Sequence, residues 1–230
     1  MRCTICGSQN FVQNHVLWDG LVSEWQLAPH EARYINAQQG TACAHCGANL
    51  RSIALADAMR AFLGTDLLLA QVNVQERCAN MATLEINEAG TLTPFLRTLP
   101  RYTFGAYPEV DMHALPYADG SFDLVLHSDT LEHVQHPVHA LRECWRVLRP
   151  GGALAFTVPI VVGRMSRSRD GLAPSYHGNP ATDTQDYIVH TEFGADAWTH
   201  VMQAGFKRVE LHTVEFPNAV SMLARKDAGA

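Results

Sequence analysis

The stretch LPYADGSFDLVLHSDTLEHVQHPVHALRECWRVLRPGGALAFTV, residues 115–158, contains a strand, a helix and a second strand in succession. Residues 121–127 are mainly apolar and predict a buried strand. From 131 to 148 apolar residues recur on one side of a helix, and the Pro-Gly-Gly of residues 150–152 ends it. The apolar run 153–158 predicts the next strand. A strand–helix–strand unit of this kind is typical of a doubly wound α/β sheet.

The same alternation of strands and helices extends on both sides of this stretch. The seven predicted strands are 81–86, 102–106, 109–112, 121–127, 153–158, 208–213 and 219–224. Further helices are predicted over 91–99 and 195–204, and residues 159–190 read as a long loop. In open α/β sheets ligands bind beyond the carboxyl ends of the strands, so the site is expected there.

Four of the six cysteines form two Cys-x-x-Cys-Gly pairs, Cys3 with Cys6 and Cys43 with Cys46. Two such pairs supply four thiolates for one tetrahedral zinc ion at about 2.3 Å, a closed structural site. Two unrelated pairs, one of them redox-active, are the alternative. The 36 residues between Cys6 and Cys43 (residues 7–42, called the insert below) include Trp18, Trp25 and Tyr34. We therefore predict a metal module over residues 1–51 and a main domain over 52–230, whose first helix has Ser52 as its N-cap and ends at Gly64.

Composition narrows the class of protein. The chain has 230 residues, 47% of them hydrophobic, which excludes general disorder. No apolar run reaches the roughly 18 residues of a membrane span. The net charge of −6, from 17 basic and 23 acidic residues, disfavours a nucleic-acid partner. The cysteines are expected to bind metal or to remain free thiols, and no apolar leader opens the sequence; both features favour a cytoplasmic location. Cys78 and Cys144 are expected in the core.

The elements LP-x-x-D-x-S-F-D, L-E-H-V and R-V-L-R-P-G-G, in this order within residues 115–152, resemble the core of class I S-adenosylmethionine-dependent methyltransferases of the methyltransferase type 11 group. The cysteine-rich front is similar to the zinc ribbons attached to some of these enzymes. The resemblance implies a seven-stranded Rossmann-like sheet, S-adenosylmethionine as cofactor, a structural zinc and a small-molecule substrate.

Within this resemblance Glu85 matches the acidic residue that follows the first strand. The Gly-x-Gly that usually comes next is replaced by residues 87–89. The acidic residue that usually binds the ribose is also missing: Ala106 lies near its expected position, and Tyr107 follows. The implied cofactor-binding residues are Glu85, Asn87, Glu88, Gly90, Tyr107, Asp111, Met112, His127 and Ser128. Solvated carboxylates, a helix or turn cap at Asp111 and a helix cap at Ser128 or Asp129 are the structural alternatives.

The resemblance also implies that the long loop 159–193 covers the substrate. Arg164 and Asn179 are expected to contact it, since three arginines within 163–169 would match a carboxylate or phosphate. Tyr176 would face the sulfonium, and His177 would take a proton from the acceptor. Ordinary structural roles are the alternatives for all four residues.

Four functions remain open at this point. The leading one is methyl transfer to a small molecule. The second uses the same cofactor without methyl transfer: its aminobutyryl chain cyclises to azetidine-2-carboxylate and methylthioadenosine is released. The others are methylation of RNA or protein, with the metal module holding the macromolecule, and a binding module without catalysis.

Overall fold

The computed structural model describes residues 1–74, 76–176 and 187–229. Its N-terminal part has a two-stranded antiparallel sheet, two helices within the insert and a longer helix after them. These elements are β1 (Phe11–Gln13), α1 (Asp19–Glu24), α2 (Pro29–Gly40), β2 (Thr41–Cys43), α3 (Leu50–Leu63), a 3₁₀ segment (Leu69–Val74) and α4 (Glu76–Asn80).

The remaining elements build the α/β part. Its strands are β3 (Ala82–Ile86), β4 (Arg101–Gly105), β5 (Phe122–Ser128), β6 (Leu148–Thr157), β7 (Ile160–Val161), β8 (Arg167–Ser168), β9 (Thr191–Gly194), β10 (Arg208–Val214) and β11 (Ala219–Arg225). Its helices are α5 (Thr93–Leu96), α6 (Pro137–Val147) and α7 (Trp198–Gln203).

The central sheet has six strands among the described residues, in the order β10-β11-β6-β5-β3-β4. Strands β4, β3, β5 and β6 run parallel; β11 pairs antiparallel with β6, and β10 pairs antiparallel with β11. This confirms the doubly wound α/β class. The strand predicted over 109–112 is wrong: the backbone N–H of Val110 donates to Ala106 O at 2.8 Å, and Asp111 Oδ1 accepts from the N–H of His113. These two turns prevent the extended conformation that an edge strand requires.

Several element boundaries also differ from the sequence prediction; β6, for example, begins at Leu148 and includes the Pro-Gly-Gly of residues 150–152. The helix predicted over 131–148 divides into a 3₁₀ turn at Leu131–His133 and α6, which begins at Pro137. Proline lacks the N–H that helix continuation needs and favours the first helical position. The N-cap of α3 is Asn49, whose side chain accepts from the N–H of Ser52 at 2.9 Å, and α3 ends as predicted at Gly64 with φ +66°.

Apolar residues on the two faces of the sheet form two separate cores. Helix α3 packs on one face, against residues such as Leu124, Ala155 and Leu223, and this cluster also contains Cys3 and Cys43. Helices α6 and α7 cover the other face. A third cluster joins the insert to Val161 and Val189. Throughout the described part of the chain, every helix is too short or too polar to serve as a membrane span.

Candidate active site and metal centre

The four cysteine sulfurs of the two Cys-x-x-Cys pairs all lie within 4.8 Å of one another. The closest pairs are Cys3–Cys46 at 3.7 Å and Cys6–Cys43 at 3.6 Å. Four thiolates on a tetrahedral zinc at about 2.3 Å lie roughly 3.8 Å apart, so the geometry fits that ion. Burial alone would raise the pKa of the Cys43 thiol, but N–H donors of Cys46 and His45 and a contact with Cys6 lower it to about 6.

Glu85, at the carboxyl end of β3, is completely buried. Its Oε1 accepts from the N–H of Ala89 at 2.7 Å and from Thr93 Oγ1 at 2.6 Å. Its Oε2 accepts from the hydroxyl of Tyr102. Burial and this hydrogen bond raise the pKa of Tyr102, which keeps the phenol in its donating form. Glu85 therefore holds the loop after β3 onto β4.

The loop that follows Glu85 makes a left-handed turn without the usual glycines. Asn87 has φ +55° and Gly90 has φ +58°; asparagine is among the few non-glycine residues that adopt this conformation readily. Asn87 Oδ1 accepts from the N–H of Tyr107 at 3.0 Å, which joins the loops after β3 and β4. Glu88 is exposed and lies 3.7 Å from Arg97. The side chain of Tyr107 is half exposed.

Asp111 and Met112 follow β4. Asp111 Oδ1 accepts from the N–H of His113 at 2.8 Å and lies 2.9 Å from His113 Nδ1. This contact caps a turn, which was the structural alternative to adenine binding. The Asp111 side chain, which also carries Oδ2, is partly exposed. Met112 is buried.

His127 and Ser128 end β5. His127 is fully buried, stacks on Phe156 at 4.8 Å, and neither ring nitrogen has a hydrogen-bond partner among the described residues. Burial lowers the pKa of His127 to about 4, although the nearby Glu132 acts in the opposite direction. Ser128 Oγ lies 2.8 Å from Thr157 Oγ1 on β6, so it does not cap the helix that follows.

The sequence reasoning missed two buried charged residues that lie near the end of β5, Arg51 and Glu132. Arg51, buried on α3, donates from Nη1 to Asp129 Oδ1 at 2.8 Å, and its Nε has no hydrogen-bond partner among the described residues. Glu132 is also buried, and its Oε1 lies 3.6 Å from His133 Nε2. His133 Nδ1 donates to the carbonyl oxygen of Ile188 at 2.9 Å. The sequence signal that could have identified Arg51 was a charged residue within the mainly apolar sequence of α3.

These charged residues form one end of a cavity of about 260 Å³. The other walls come mainly from the insert, including Trp18, Leu21, Trp25 and Leu27. Residues 177–186 of the loop 159–193 lie outside the described residues, so the expectation that this loop covers the substrate stays a prediction. Of that loop, Pro159 and Tyr187 are the described residues that line the cavity. The tryptophans of the insert were visible in the sequence, but nothing in the sequence indicated that they lie above β5.

The three arginines of the 163–169 segment bind other parts of the chain. Arg164 forms a two-pronged pair with Glu31 of α2, with contacts of 2.9 and 2.6 Å, and also donates to the carbonyl oxygens of Trp25 and Gln26. Arg167 and Arg169 share the Glu192 carboxylate. The prediction that Arg164 contacts an anionic substrate is therefore corrected: its donors hold the insert against the segment after β6.

The remaining predicted residues are only partly described. Tyr176 pairs with Ile188 in an isolated antiparallel bridge. It is not among the residues that line the cavity. His177 and Asn179 lie outside the described residues, so their proposed roles stay predictions.

The residues at the carboxyl strand ends fit a cofactor with an aminoacyl and a nucleoside part. The loop after β3 has an exposed glycine with φ +58°, and the neighbouring Arg51 has a buried N–H without a partner among the residues described. The cysteine module borders this loop, because a Cβ on Gly47 would lie 3.9 Å from Thr91. The ribose acid of the family has no counterpart after β4, where Ala106 and Tyr107 stand.

Comparison with known proteins identifies the domain. A family model described as a methyltransferase domain matches residues 43–156, and a second with the same description matches 107–216. An uncharacterized methyltransferase of Mycobacterium sp. (strain KMS) is 35% identical over 79 residues, which cover 34% of this chain and 31% of the relative. The UbiE C-methyltransferase of ubiquinone/menaquinone biosynthesis from Klebsiella pneumoniae (strain 342) is 33% identical over 123 residues, covering 47% and 48%.

The matched stretch thus spans about a third to a half of the length of these relatives. Among solved structures, a SAM-dependent methyltransferase from Aquifex aeolicus is 15% identical, with a TM-score of 0.43 over 75% of this chain and 91% of that one. Two methyltransferase-domain models that together span residues 43–216, on a mostly parallel six-stranded sheet, show that the chain belongs to the class I S-adenosylmethionine-dependent methyltransferase family.

Proposed function

We propose that this protein transfers a methyl group from S-adenosylmethionine to a small molecule. The observation that carries the proposal is the cavity of about 260 Å³ beside Asp129, at the carboxyl end of β5. In open α/β sheets this edge is where ligands bind. A cavity of this size, with the insert over it, suits a small acceptor better than a nucleic acid or a protein segment.

When bound, S-adenosylmethionine supplies a methyl carbon that accepts a lone pair from the acceptor while the carbon–sulfur bond breaks and its electron pair stays on sulfur. The chain's task is to position both molecules and to exclude water. The backbone of residues 87–90 and the Arg51 guanidinium would hold the aminoacyl end. Asp111 and Met112 would hold the adenine, and Tyr107 would lie near the ribose. These assignments rest on the placement of the residues at the strand ends.

We also propose that Cys3, Cys6, Cys43 and Cys46 hold a structural zinc ion. Support comes from the sulfur separations of 3.6 and 3.7 Å, which match a tetrahedral tetrathiolate site. All four ligands come from the protein, so the site offers no open position for catalysis. The division into modules 1–51 and 52–230 and the cytoplasmic location stay predictions.

The second candidate is cyclisation of the aminobutyryl chain, which was suggested by the altered loop after β3. Asn87 adopts a left-handed conformation that glycine usually supplies, so the missing glycines by themselves do not favour cyclisation over methyl transfer. The nucleoside product separates the two reactions, because methyl transfer yields adenosylhomocysteine whereas cyclisation yields methylthioadenosine.

The test has two readouts. Isothermal titration of the protein with adenosylhomocysteine measures cofactor binding directly, and mass spectrometry identifies the nucleoside released from S-adenosylmethionine with and without added acceptors. We expect saturable binding and acceptor-dependent adenosylhomocysteine. Methylthioadenosine formed without an acceptor, or absence of binding, would contradict the proposal.

A further inference from the structure

We infer that the insert of the cysteine module forms the acceptor pocket and that the acceptor is a small, flat, apolar molecule that carries a neutral hydroxyl or an amine, the amine losing its extra proton to water before it attacks. The inference deepens the proposed function and rests on it. It starts from how the insert is placed on the methyltransferase sheet.

The insert is held over the sheet by contacts at three points. Arg164, which follows β7, binds Glu31 and the carbonyl oxygens before α2. Trp25 Nε1 donates to Ser175 Oγ at 2.9 Å, and Gln38 donates to the carbonyl oxygen of Ile160 at 3.3 Å. The latter two bonds are buried. Such fixed contacts make the insert a permanent wall of the cavity.

The body of the acceptor is defined by the apolar side of the cavity. Trp25 exposes 5% of its surface and Leu21 9%, whereas Trp18 is 43% exposed at the rim. An apolar cavity of about 150 Å³ holds one benzene ring. The cavity of about 260 Å³ therefore suits one or two rings, and flat rings also stack favourably on tryptophan.

The polar end of the cavity determines which reactive group of the acceptor, called its head here, can bind. Among the described residues that line this end, the charged side chains are Arg51, Asp129 and Glu132, with His133 beside Glu132. The Arg51 guanidinium already donates to Asp129, and carboxylates that face the cavity disfavour an anionic head. They favour a group that donates a hydrogen bond, such as a phenol, an alcohol or an amine. In the transfer the acceptor gains the methyl group on that atom and releases its proton to water.

Three probes that share one ring and differ in charge test this inference: 4-methylphenol, tyramine and 4-hydroxyphenylacetate. Saturation-transfer NMR measures their binding to protein saturated with adenosylhomocysteine. We expect the neutral and cationic probes to bind roughly tenfold or more tightly than the anion, a difference of about 1.4 kcal/mol. An anion that binds as well as the others would overturn the charge assignment.

The variant Trp18→Ala tests the pocket itself, with Trp198→Ala as its control. Both tryptophans are exposed to a similar degree, 43% and 42%, but Trp198 lies at the start of α7 and does not line the cavity. We expect Trp18→Ala to weaken probe binding at least about fivefold with unchanged adenosylhomocysteine affinity. Equal effects of both variants would place the acceptor elsewhere.

Binding of adenosylhomocysteine, measured in the same samples, separates the two levels of the proposal. Absence of this binding would contradict the proposed function. Adenosylhomocysteine binding without preferential binding of the neutral and cationic probes would overturn only the inference about the acceptor.

Discussion

At the scale of single residues, Glu85 explains how the loop after β3 is held without the usual glycines. Both carboxylate oxygens accept hydrogen bonds, from the loop backbone, from Thr93 and from Tyr102 on the adjacent strand. Since buried polar groups require such partners, the loop and the carboxylate stabilise each other.

The variant Glu85→Gln should therefore lower the free energy of unfolding by about 1–3 kcal/mol, because an amide N–H₂ would face a donor in a buried site. It should also weaken adenosylhomocysteine binding, since the loop borders the strand ends. Urea denaturation and calorimetric titration measure the two effects. The control, Glu88→Gln in the same loop, changes an exposed side chain and should alter stability by less than about 0.5 kcal/mol. Equal losses in the two variants would contradict this role of Glu85.

His127 gives a prediction about pH. Burial lowers the pKa of His127 from its usual 6.5 to about 4, so the unfolded chain binds this proton more readily than the folded chain. Stability from the neutral ring is complete above pH 6.5 and is lost as the pH falls towards 4. His200 and His212, whose pKa values burial also lowers, act in the same direction.

The variant His127→Phe isolates this contribution, since the ring stays apolar at every pH. Urea denaturation at pH 7 and pH 5 should show that the wild-type protein loses on the order of 1–2 kcal/mol more than the variant between these two values. The exposed His30, changed to Gln, serves as control and should leave the wild-type pH dependence in place. The same loss in the wild type and in His127→Phe would show that His127 is not the titrating group.

At the scale of elements, the pair between Arg164 and Glu31 joins α2 of the insert to the segment after β7. Replacing arginine by lysine removes the two-pronged geometry and the additional bonds to backbone carbonyls. Arg164→Lys should lower the free energy of unfolding by roughly 1–3 kcal/mol. It should also raise the KM for the acceptor more than it lowers kcat, because it loosens the pocket wall.

The matched control is Arg97→Lys, since Arg97 is more than half exposed and lies 3.7 Å from the exposed Glu88. Exposed pairs contribute little to stability. Steady-state kinetics and urea denaturation of both variants supply the comparison. If Arg97→Lys lowered stability as much as Arg164→Lys, the contact between insert and sheet would have no special importance.

The sequence predicted elements well where hydrophobic periodicity is strong. Strands β3, β5, β10 and β11 and the helix α3 lie close to their predicted bounds, whereas β6 begins at Leu148, well before its predicted start at residue 153. It failed where side-chain hydrogen bonds or proline overrode the pattern, as at 109–112 and before Pro137. The short strands β7 to β9 were missed because each has only two to four residues, too few for a period to show.

At the scale of the whole molecule, the metal centre belongs to the same core as the sheet. Cys3 and Cys43 are in one buried cluster with residues of α3 and of strands β5, β6 and β11. The cluster of four cysteines was predictable, because a repeated Cys-x-x-Cys is a local pattern. The position of the insert was not, because it depends on contacts with residues more than 100 positions away.

Removal of the metal should consequently affect the entire protein. Purified protein is expected to contain one zinc ion per chain, and Cys43→Ser should lower the metal content, the Tm and adenosylhomocysteine affinity together. Elemental analysis, thermal denaturation and titration measure these quantities. Cys78→Ala, which changes a buried thiol outside the cluster, should retain the zinc. Metal-free protein with an unchanged Tm would contradict a structural zinc.

The central claim is methyl transfer to a small acceptor at the carboxyl ends of the strands. Its most direct test is mass spectrometry after incubation of the protein with S-adenosylmethionine labelled as trideuteromethyl and with 4-methylphenol and tyramine. The predicted result is an acceptor that carries the intact trideuteromethyl group, with an equal amount of adenosylhomocysteine. Methylthioadenosine as the nucleoside product would contradict it, whereas cofactor that binds but transfers no label to either compound would contradict only the inference about the acceptor.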